Sequence, residues 1–187
     1  YQVPRIFFIN KLDRMGANFN HSFQTILDRL TKNAVRVQIP IGEDDAHEGV
    51  IDLLRLKGYL FEGNMGDEIK EIEIPDHLKV EAAKGRAELV EKIVEHDEAM
   101  MSAYFEGKTP AIDDLKRVMR QAVIANKLVP VFCGSALKNK GVQLVLDGVV
   151  DYLPSPLDIP PVHGKDPRTG DDATRESSDT APLSGLV

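Results

Sequence analysis

Arg5-Ile6-Phe7-Phe8-Ile9-Asn10-Lys11-Leu12-Asp13 joins an apolar run directly to a short polar segment. Four consecutive apolar residues bounded by polar ones are typical of a strand covered on both faces, as in a parallel sheet. Open sheets of this kind bind ligands beyond the carboxyl ends of their strands. We therefore expect a buried strand whose following loop, residues 10–13, takes part in binding.

A second strand and loop of the same kind lie far along the chain. Val129–Cys133 is a compact apolar run, and Gly134-Ser135-Ala136-Leu137 follows it before a helical pattern over residues 142–153. Two loops at the same edge of one sheet can converge on one ligand. The strand–helix pairs at the two ends predict an α/β fold, and the different texture between them predicts an inserted α+β subdomain.

The apolar spacing also predicts the elements between these ends. Helices are expected over residues 19–32, 75–104 and 112–127, with short strands over residues 35–39, 50–56, 58–61 and 69–74. Residues 164–180 have almost no apolar content and are expected to form a flexible connector. Residues 182–187 turn apolar again and resemble the start of another strand.

Composition excludes several classes of protein. The 187 residues are 42% hydrophobic and 28% charged, with a net charge of −7, which argues against a general nucleic-acid-coating surface. One cysteine, Cys133, excludes a disulfide framework, and the five histidines show no metal-ligand spacing. With no apolar run long enough for a membrane span and no signal peptide, we expect a cytoplasmic protein without a metal site. Because the chain opens at Tyr1 on a strand, we also expect it to be a fragment of something larger.

The residues of the two loops suit the chemistry of guanine. A carboxylate such as Asp13 accepts from both N1–H and the exocyclic N2 amine, a charge-assisted pair of bonds that adenine cannot form. Asn10 can donate to the acceptor side of the base and tie the two loops together. The alkyl stem of Lys11 can lie along the base plane. A backbone N–H of Ser135 or Ala136 can donate to O6, so the two loops predict a guanine-selective site.

These segments resemble a known family. Residues 9–19, Ile-Asn-Lys-Leu-Asp-Arg-Met-Gly-Ala-Asn-Phe, resemble the guanine-specificity segment of translational GTPases, and over the whole chain the resemblance is to elongation factor G. Residues 135–143 resemble the second base-binding loop of that factor, which includes Leu137, and residues 151–160 the exit from its GTPase domain. The resemblance implies a parallel sheet of the P-loop GTPase type, interrupted by the inserted subdomain called G-prime.

The resemblance also implies domain boundaries and partners. Residues 1–32 and 128–160 would be parts of the GTPase domain, residues 33–127 the G-prime insertion, and residues 161–187 a connector entering the next β domain. The parent would be a monomeric, bacterial or organellar GTPase that drives ribosomal translocation with GTP and Mg²⁺. No G-x-x-x-x-G-K-[ST] phosphate loop occurs in these 187 residues, so this chain is expected to keep the base site and to lack hydrolysis and catalytic residues.

Two alternatives remain open at the level of sequence. Peptide-chain release factor three shares the Asn-Lys-Leu-Asp-Arg segment and an insertion, although residues 15–18 and 136–140 favour the translocase. The isolated chain could instead be a protein-binding module without a nucleotide function. Competition between GDP and ADP for the chain distinguishes a surviving base site from such a module.

An acidic stretch is the candidate partner surface. Residues 62–106 carry 5 basic and 13 acidic residues. On one continuous helix, the spacing of Glu88, Glu91, Glu95 and Glu98 would place them on one face. Such a run is most often a solvated face, but the resemblance implies contact between G-prime and the stalk protein of the large ribosomal subunit. Lys116, Arg117, Arg120 and Lys127 form a basic cluster that could contact ribosomal RNA or pair with neighbouring acids.

Overall fold

A computed structural model describes residues 3–63, 65–158, 160–178 and 180–181, and it divides the chain into the units Tyr1–Leu153 and Pro154–Val187. The elements of the first unit are, in chain order, β1 (Phe7–Ile9), α1 (Phe19–Arg29), β2 (Ala34–Arg36), β3 (Gln38–Ile41), β4 (Gly49–Asp52), β5 (Lys57–Glu62), β6 (Glu68–Ile72), α2 (Lys79–Val94), α3 (Glu98–Phe105), α4 (Ile112–Ile124), β7 (Val129–Cys133) and α5 (Val142–Tyr152).

A parallel sheet brings together the two ends of the first unit. Its strand order is β1-β7-β2, with Phe7 opposite Val131 and Ala34 opposite Val129. All five residues of β7 are buried, as expected for a central strand covered on both faces. Cys133, the last of them, is fully buried, and its N–H donates to the Gln38 side chain at 3.3 Å. The predicted α/β class is confirmed.

An antiparallel sheet of order β3-β4-β5-β6 occupies the middle of the chain, together with α2, α3 and α4. The two sheets meet at Val37, which lies between β2 and β3. Its N–H donates to the Val131 carbonyl at 3.1 Å, and its carbonyl accepts from the Leu53 N–H at 3.0 Å. β2 lies in the parallel sheet although it follows the predicted boundary at residue 33, so the division into subdomains stays a prediction.

The prediction of one helical stretch over residues 75–104 is wrong. A short 3₁₀ turn at Asp76–Leu78 precedes α2, and α2 ends at Val94 before α3 begins at Glu98. The Asp97 side chain caps α3 by accepting from the Met100 N–H at 2.9 Å, which ends one helix and starts the next. Glu95 is therefore the C-cap of α2 and Glu98 belongs to α3. The four glutamates therefore do not lie on one continuous helix, as the expected single face requires.

The second unit contains a β-hairpin in the stretch for which a flexible connector is predicted. β8 (Val162–Lys165) pairs antiparallel with β9 (Asp172–Arg175). The turn between them is fixed locally: the Gly170 N–H donates to the Asp166 carbonyl at 2.8 Å, and the Asp166 side chain accepts from the Arg168 N–H at 2.8 Å. Asx-turn chemistry thus forms this hairpin without an apolar core. The strand predicted over residues 182–187 lies outside the described residues.

None of the helices in the described part of the chain is both long and apolar enough to cross a bilayer.

Candidate functional site

The parallel pairing of β1 with β7 brings the two polar loops side by side. The Gly134 N–H donates to the Ile9 carbonyl at 3.1 Å, and the Leu12 N–H donates to the Gly134 carbonyl at 3.1 Å. The backbone hydrogen bonding of the sheet therefore continues past both strand ends into the loops. The polar residues that the sequence singled out, residues 10–13 and 135–137, meet at one edge of the sheet.

Asn10 joins the two loops through its side chain. Its Oδ1 accepts from the Lys11 N–H at 2.7 Å and from the Ala136 N–H at 2.9 Å. Lys11 adopts a left-handed conformation with φ of +64°, which turns the chain sharply after the strand. Asn10 and Lys11 both remain exposed, so their side chains are accessible to a ligand at this edge.

Asp13 is a buried carboxylate that is held in its ionised form. Its exposed fraction is 8%, and Ser135 beside it is fully buried. The Ser135 hydroxyl lowers the pKa of the Asp13 carboxyl below its usual value, although burial opposes this shift. Lys138 Nζ, 3.9 Å from Asp13 Oδ2, adds a smaller effect in the same direction. The site therefore holds a mostly buried negative charge between two loops whose other residues, Asn10, Lys11, Ala136 and Leu137, are exposed.

The second loop is a tight turn closed by two backbone hydrogen bonds. Ser135 and Lys140 exchange N–H to carbonyl bonds, each of 2.9 Å. Only glycine fits at position 134, because a Cβ there would lie 2.1 Å from the Lys140 carbonyl oxygen. This turn fixes the position of Ser135 next to Asp13 and leaves Ala136 and Leu137 exposed.

The structure changes the expected backbone donors of this loop. The Ser135 N–H is bonded to the Lys140 carbonyl and the Ala136 N–H to Asn10, so neither is available to a ligand in this conformation. The Leu137 N–H has no acceptor within the described part of the chain. Of the three loop residues named from the sequence, Leu137 is the one whose N–H can donate outward.

Sequence reasoning missed a third segment at the site. Residues 42–48, between β3 and β4, contact both polar loops through Asp44 and His47. Their residue types match no motif, and only the fold brings them here. The glycine at position 42 was the one signal of a special turn that the sequence offered, and the structure shows it with φ of +74°.

Three of the four glutamates of the acidic stretch lie on α2 or at its C-cap, and the fourth lies on α3. Glu88 Oε2 lies 2.6 Å from Arg36 Nη2, and Glu95 pairs with Lys92 at 3.1 Å. Glu88 and Glu91 border a cavity of about 370 Å³ between α1, β2 and α2. Glu98 lies on α3.

Most of the basic cluster is engaged within the protein. Lys116 pairs with Asp151 and Arg117 lies 3.6 Å from Asp97, while Arg120 donates to backbone carbonyls of residues 150 and 151. For these three residues, the structure supports pairing with protein acceptors rather than a cationic surface for RNA.

The described residues contain no group of three or more histidine, cysteine, aspartate or glutamate side chains arranged to hold a metal ion. By contrast, the donors and acceptors at the sheet edge fit a guanine base. A buried ionised carboxylate, an outward backbone N–H and a lysine stem are the groups that its edge and face require.

Two comparisons with known proteins agree with this geometry. The family model of the elongation factor Tu GTP binding domain matches residues 1–155. The chain also resembles a crystal structure from Thermus thermophilus, that of the protein named ttk003000868, with 27% identity and a TM-score of 0.74. That match covers 91% of this chain and 26% of the Thermus chain, so the present chain spans about a quarter of its length.

The family match includes both strands of the parallel sheet that carry the polar loops, the two loops themselves and the middle of the chain. The α/β architecture with its parallel sheet is consistent with a GTPase-type fold. The chain belongs to the family of elongation factor Tu GTP-binding domains.

Proposed function

We propose that the two loops form the base-binding site of a guanine nucleotide in a translation factor of the elongation factor G type. The observation that carries this proposal is the buried, ionised Asp13 beside a second loop that Asn10 holds in place. A carboxylate with this fixed position accepts from N1–H and from the N2 amine together, and adenine offers no such pair of donors.

The other loop residues take complementary roles. Asn10 positions the second loop, with its amide nitrogen left to donate to N7. The Lys11 stem covers one face of the base. Ser135 orients Asp13, Ala136 anchors the loop to Asn10, and the Leu137 N–H donates to O6. Family membership supports guanine nucleotide as the ligand, and this assignment of roles extends it to single residues.

Phosphate and metal binding are assigned to the complete factor. The sequence has no G-x-x-x-x-G-K-[ST] motif to cradle phosphates, and the described residues hold no cluster for Mg²⁺. We therefore expect this chain to bind the base without hydrolysing GTP, whereas the full-length factor is a GTPase.

A competition experiment with Asp13→Asn tests the base site. The amide places a donor opposite the 2-oxo group of xanthine, where guanine carries a donor of its own. The wild-type chain is expected to bind GDP in preference to ADP and XDP. The variant is expected to lose affinity for GDP and to gain affinity for XDP. Displacement of a fluorescent GDP or XDP measures these affinities. Asp28→Asn, an exposed position on α1, serves as the matched control.

Two results would contradict the proposal. If the variant and the wild-type chain bind GDP and XDP alike, residues 10–13 are only a turn. If the wild-type chain binds neither GDP nor ADP, the chain is a protein-binding module with no nucleotide function.

Within the translation factors, residues 15–18 and 136–140 favour the translocase over peptide-chain release factor three. The ribosome is then the partner of the whole factor, which moves transfer and messenger RNA. The full-length protein can be tested for movement of transfer RNA on the ribosome and for activity in peptide release. Movement of transfer RNA would support the translocase, and activity in peptide release would support the release factor.

The stalk protein of the large ribosomal subunit is the proposed partner of Glu88, Glu91, Glu95 and Glu98. Glu91 is exposed and has no ion-pair partner among the described residues, whereas Glu88 and Glu95 are paired. We therefore centre the proposed contact on Glu91 of α2. Glu98, which is also exposed and has no ion-pair partner among the described residues, lies on the next helix, α3.

A further inference from the structure

Residues 42–48, here called the bracing loop, bond to the first polar loop on both sides of Asp13. The Asp44 N–H donates to the Leu12 carbonyl at 2.9 Å. The Asp44 carboxylate accepts from the Ala17 N–H at 3.0 Å, and Ala17 shares this N–H with the Arg14 carbonyl. Asp44 thus bonds to the backbone on both sides of Asp13, at Leu12 before it and at Ala17 after it.

The same loop bonds to the second polar loop. Lys140 Nζ donates to the His47 carbonyl at 2.7 Å, and Lys140 is the residue whose backbone closes the turn against Ser135. Ser135 in turn hydrogen-bonds the Asp13 carboxylate. The bracing loop is therefore linked to Asp13 through both polar loops.

The bracing loop has a fixed shape of its own. A Cβ at Gly42 would lie 1.9 Å from the Ala46 carbonyl oxygen, so only glycine fits there. His47 is only 2% exposed, and its Nδ1 lies 3.1 Å from the Gly42 carbonyl oxygen. A buried side chain inside such a closed turn limits how far Asp44 and the His47 carbonyl can move.

We infer that the bracing loop positions Asp13 for base recognition, with Asp44 and Lys140 as positioning residues that set selectivity for the exocyclic amine of guanine. This inference rests on the proposed function. It assigns base selectivity in part to the middle of the chain, outside the two polar loops, so a change at Asp44 alters nucleotide choice although Asp44 does not contact the nucleotide.

The test compares GDP with inosine diphosphate, whose base lacks the N2 amine. The wild-type chain is expected to prefer GDP by about ten- to a hundredfold, which corresponds to one hydrogen bond to a charged group. Asp44→Gly removes the carboxylate, and glycine accepts the φ of +56° at this position. In this variant the dissociation constant of inosine diphosphate divided by that of GDP is expected to fall towards one. If Asp44 had only a structural role, binding of both nucleotides would weaken equally and the ratio would not change.

Three further variants make the result specific. Asp44→Asn keeps an acceptor for the Ala17 N–H and should restore most of the ratio. Asp45→Ala, at the exposed neighbouring position, should leave the ratio unchanged. Lys140→Met keeps the alkyl stem but loses the bond to His47, and it should lower the ratio even if Asp44→Gly fails to fold.

The outcomes separate the inference from the proposed function. If the wild-type chain prefers GDP and both Asp44→Gly and Lys140→Met keep the full ratio, the inference is wrong and the base site stands. If the wild-type chain does not distinguish GDP from ADP, the proposed function fails and the inference fails with it.

Discussion

At the scale of single residues, the contact between Ser135 and Asp13 makes base binding dependent on pH. The carboxyl must be ionised to accept from guanine, and the Ser135 hydroxyl lowers its pKa. Affinity for GDP should therefore persist as the pH falls and be lost only when the pH passes through that lowered pKa. The ionised carboxylate also stabilises the fold above its unfolded pKa, and this stability is lost over the same acid range.

Ser135→Ala should move this loss of affinity to a higher pH. Without the hydroxyl, the largest cause that lowers the pKa of Asp13 is lost, so the carboxyl becomes protonated at a higher pH than in the wild-type chain. The measurement is the dissociation constant of fluorescent GDP between neutral and acidic pH. Ser102→Ala, an exposed position on α3, should follow the wild-type curve. Overlapping curves for wild type and Ser135→Ala would refute the role assigned to the hydroxyl.

At the scale of elements, α2 presents the acidic surface proposed for the stalk protein. Glu91→Lys reverses a charge at the centre of this surface and should weaken binding of the stalk protein several-fold at low salt. The loss should shrink as salt rises, because exposed charges are screened beyond about 10 Å at 0.1 M ionic strength.

Titration calorimetry at two salt concentrations measures this effect. Glu81→Lys lies in the first turn of the same helix and provides the same charge change at another exposed position. Equal binding by wild type and Glu91→Lys at low salt would remove α2 as the docking element.

The elements also show what the sequence could predict. Two of the three parallel strands, β1 and β7, follow from runs that are apolar on every residue, and the helix over residues 19–32 was correct except at its end. The break between α2 and α3 was missed because glutamates and alanines continue across it, while a single cap at Asp97 decides it. The hairpin of β8 and β9 was missed because it depends on turn geometry rather than on apolar spacing.

The sequence predicts the candidate site only at residues whose side chains have a recognisable binding chemistry. Asp13 and Asn10 are recognisable from their place after a buried strand. Asn10 accepts from the Ala136 N–H, and residues 42–48 contact the first polar loop. Both contacts join residues more than 25 positions apart in the sequence. No local pattern encodes such contacts.

At the scale of the whole molecule, the hydrogen bonds at Val37 connect the two sheets of the first unit. We expect Tyr1–Leu153 to unfold as one cooperative unit, with the middle of the chain and its ends losing structure together. Ile51→Ala creates a cavity in β4, where Ile51 is fully buried, and should lower the free energy of unfolding by about 2–5 kcal/mol.

Hydrogen exchange measures whether this loss is shared. Amide protons of β4 and β7 should lose the same protection, because both open in one global event. Val80→Ala, which is 82% exposed, should change neither. Loss of protection confined to β4 would show that the middle of the chain is an independent folding unit.

The burial of Cys133 has a practical consequence for studying this protein. It is the single cysteine among the 187 residues, and burial raises the pKa of its thiol far above the usual range. Maleimide dyes react with thiolates, so the native chain should resist labelling while it is folded. A cysteine introduced at Met15, which is 96% exposed beside Asp13, would accept one dye per molecule in the otherwise natural sequence. The fluorescence of that dye would then follow the arrival and departure of nucleotide in real time.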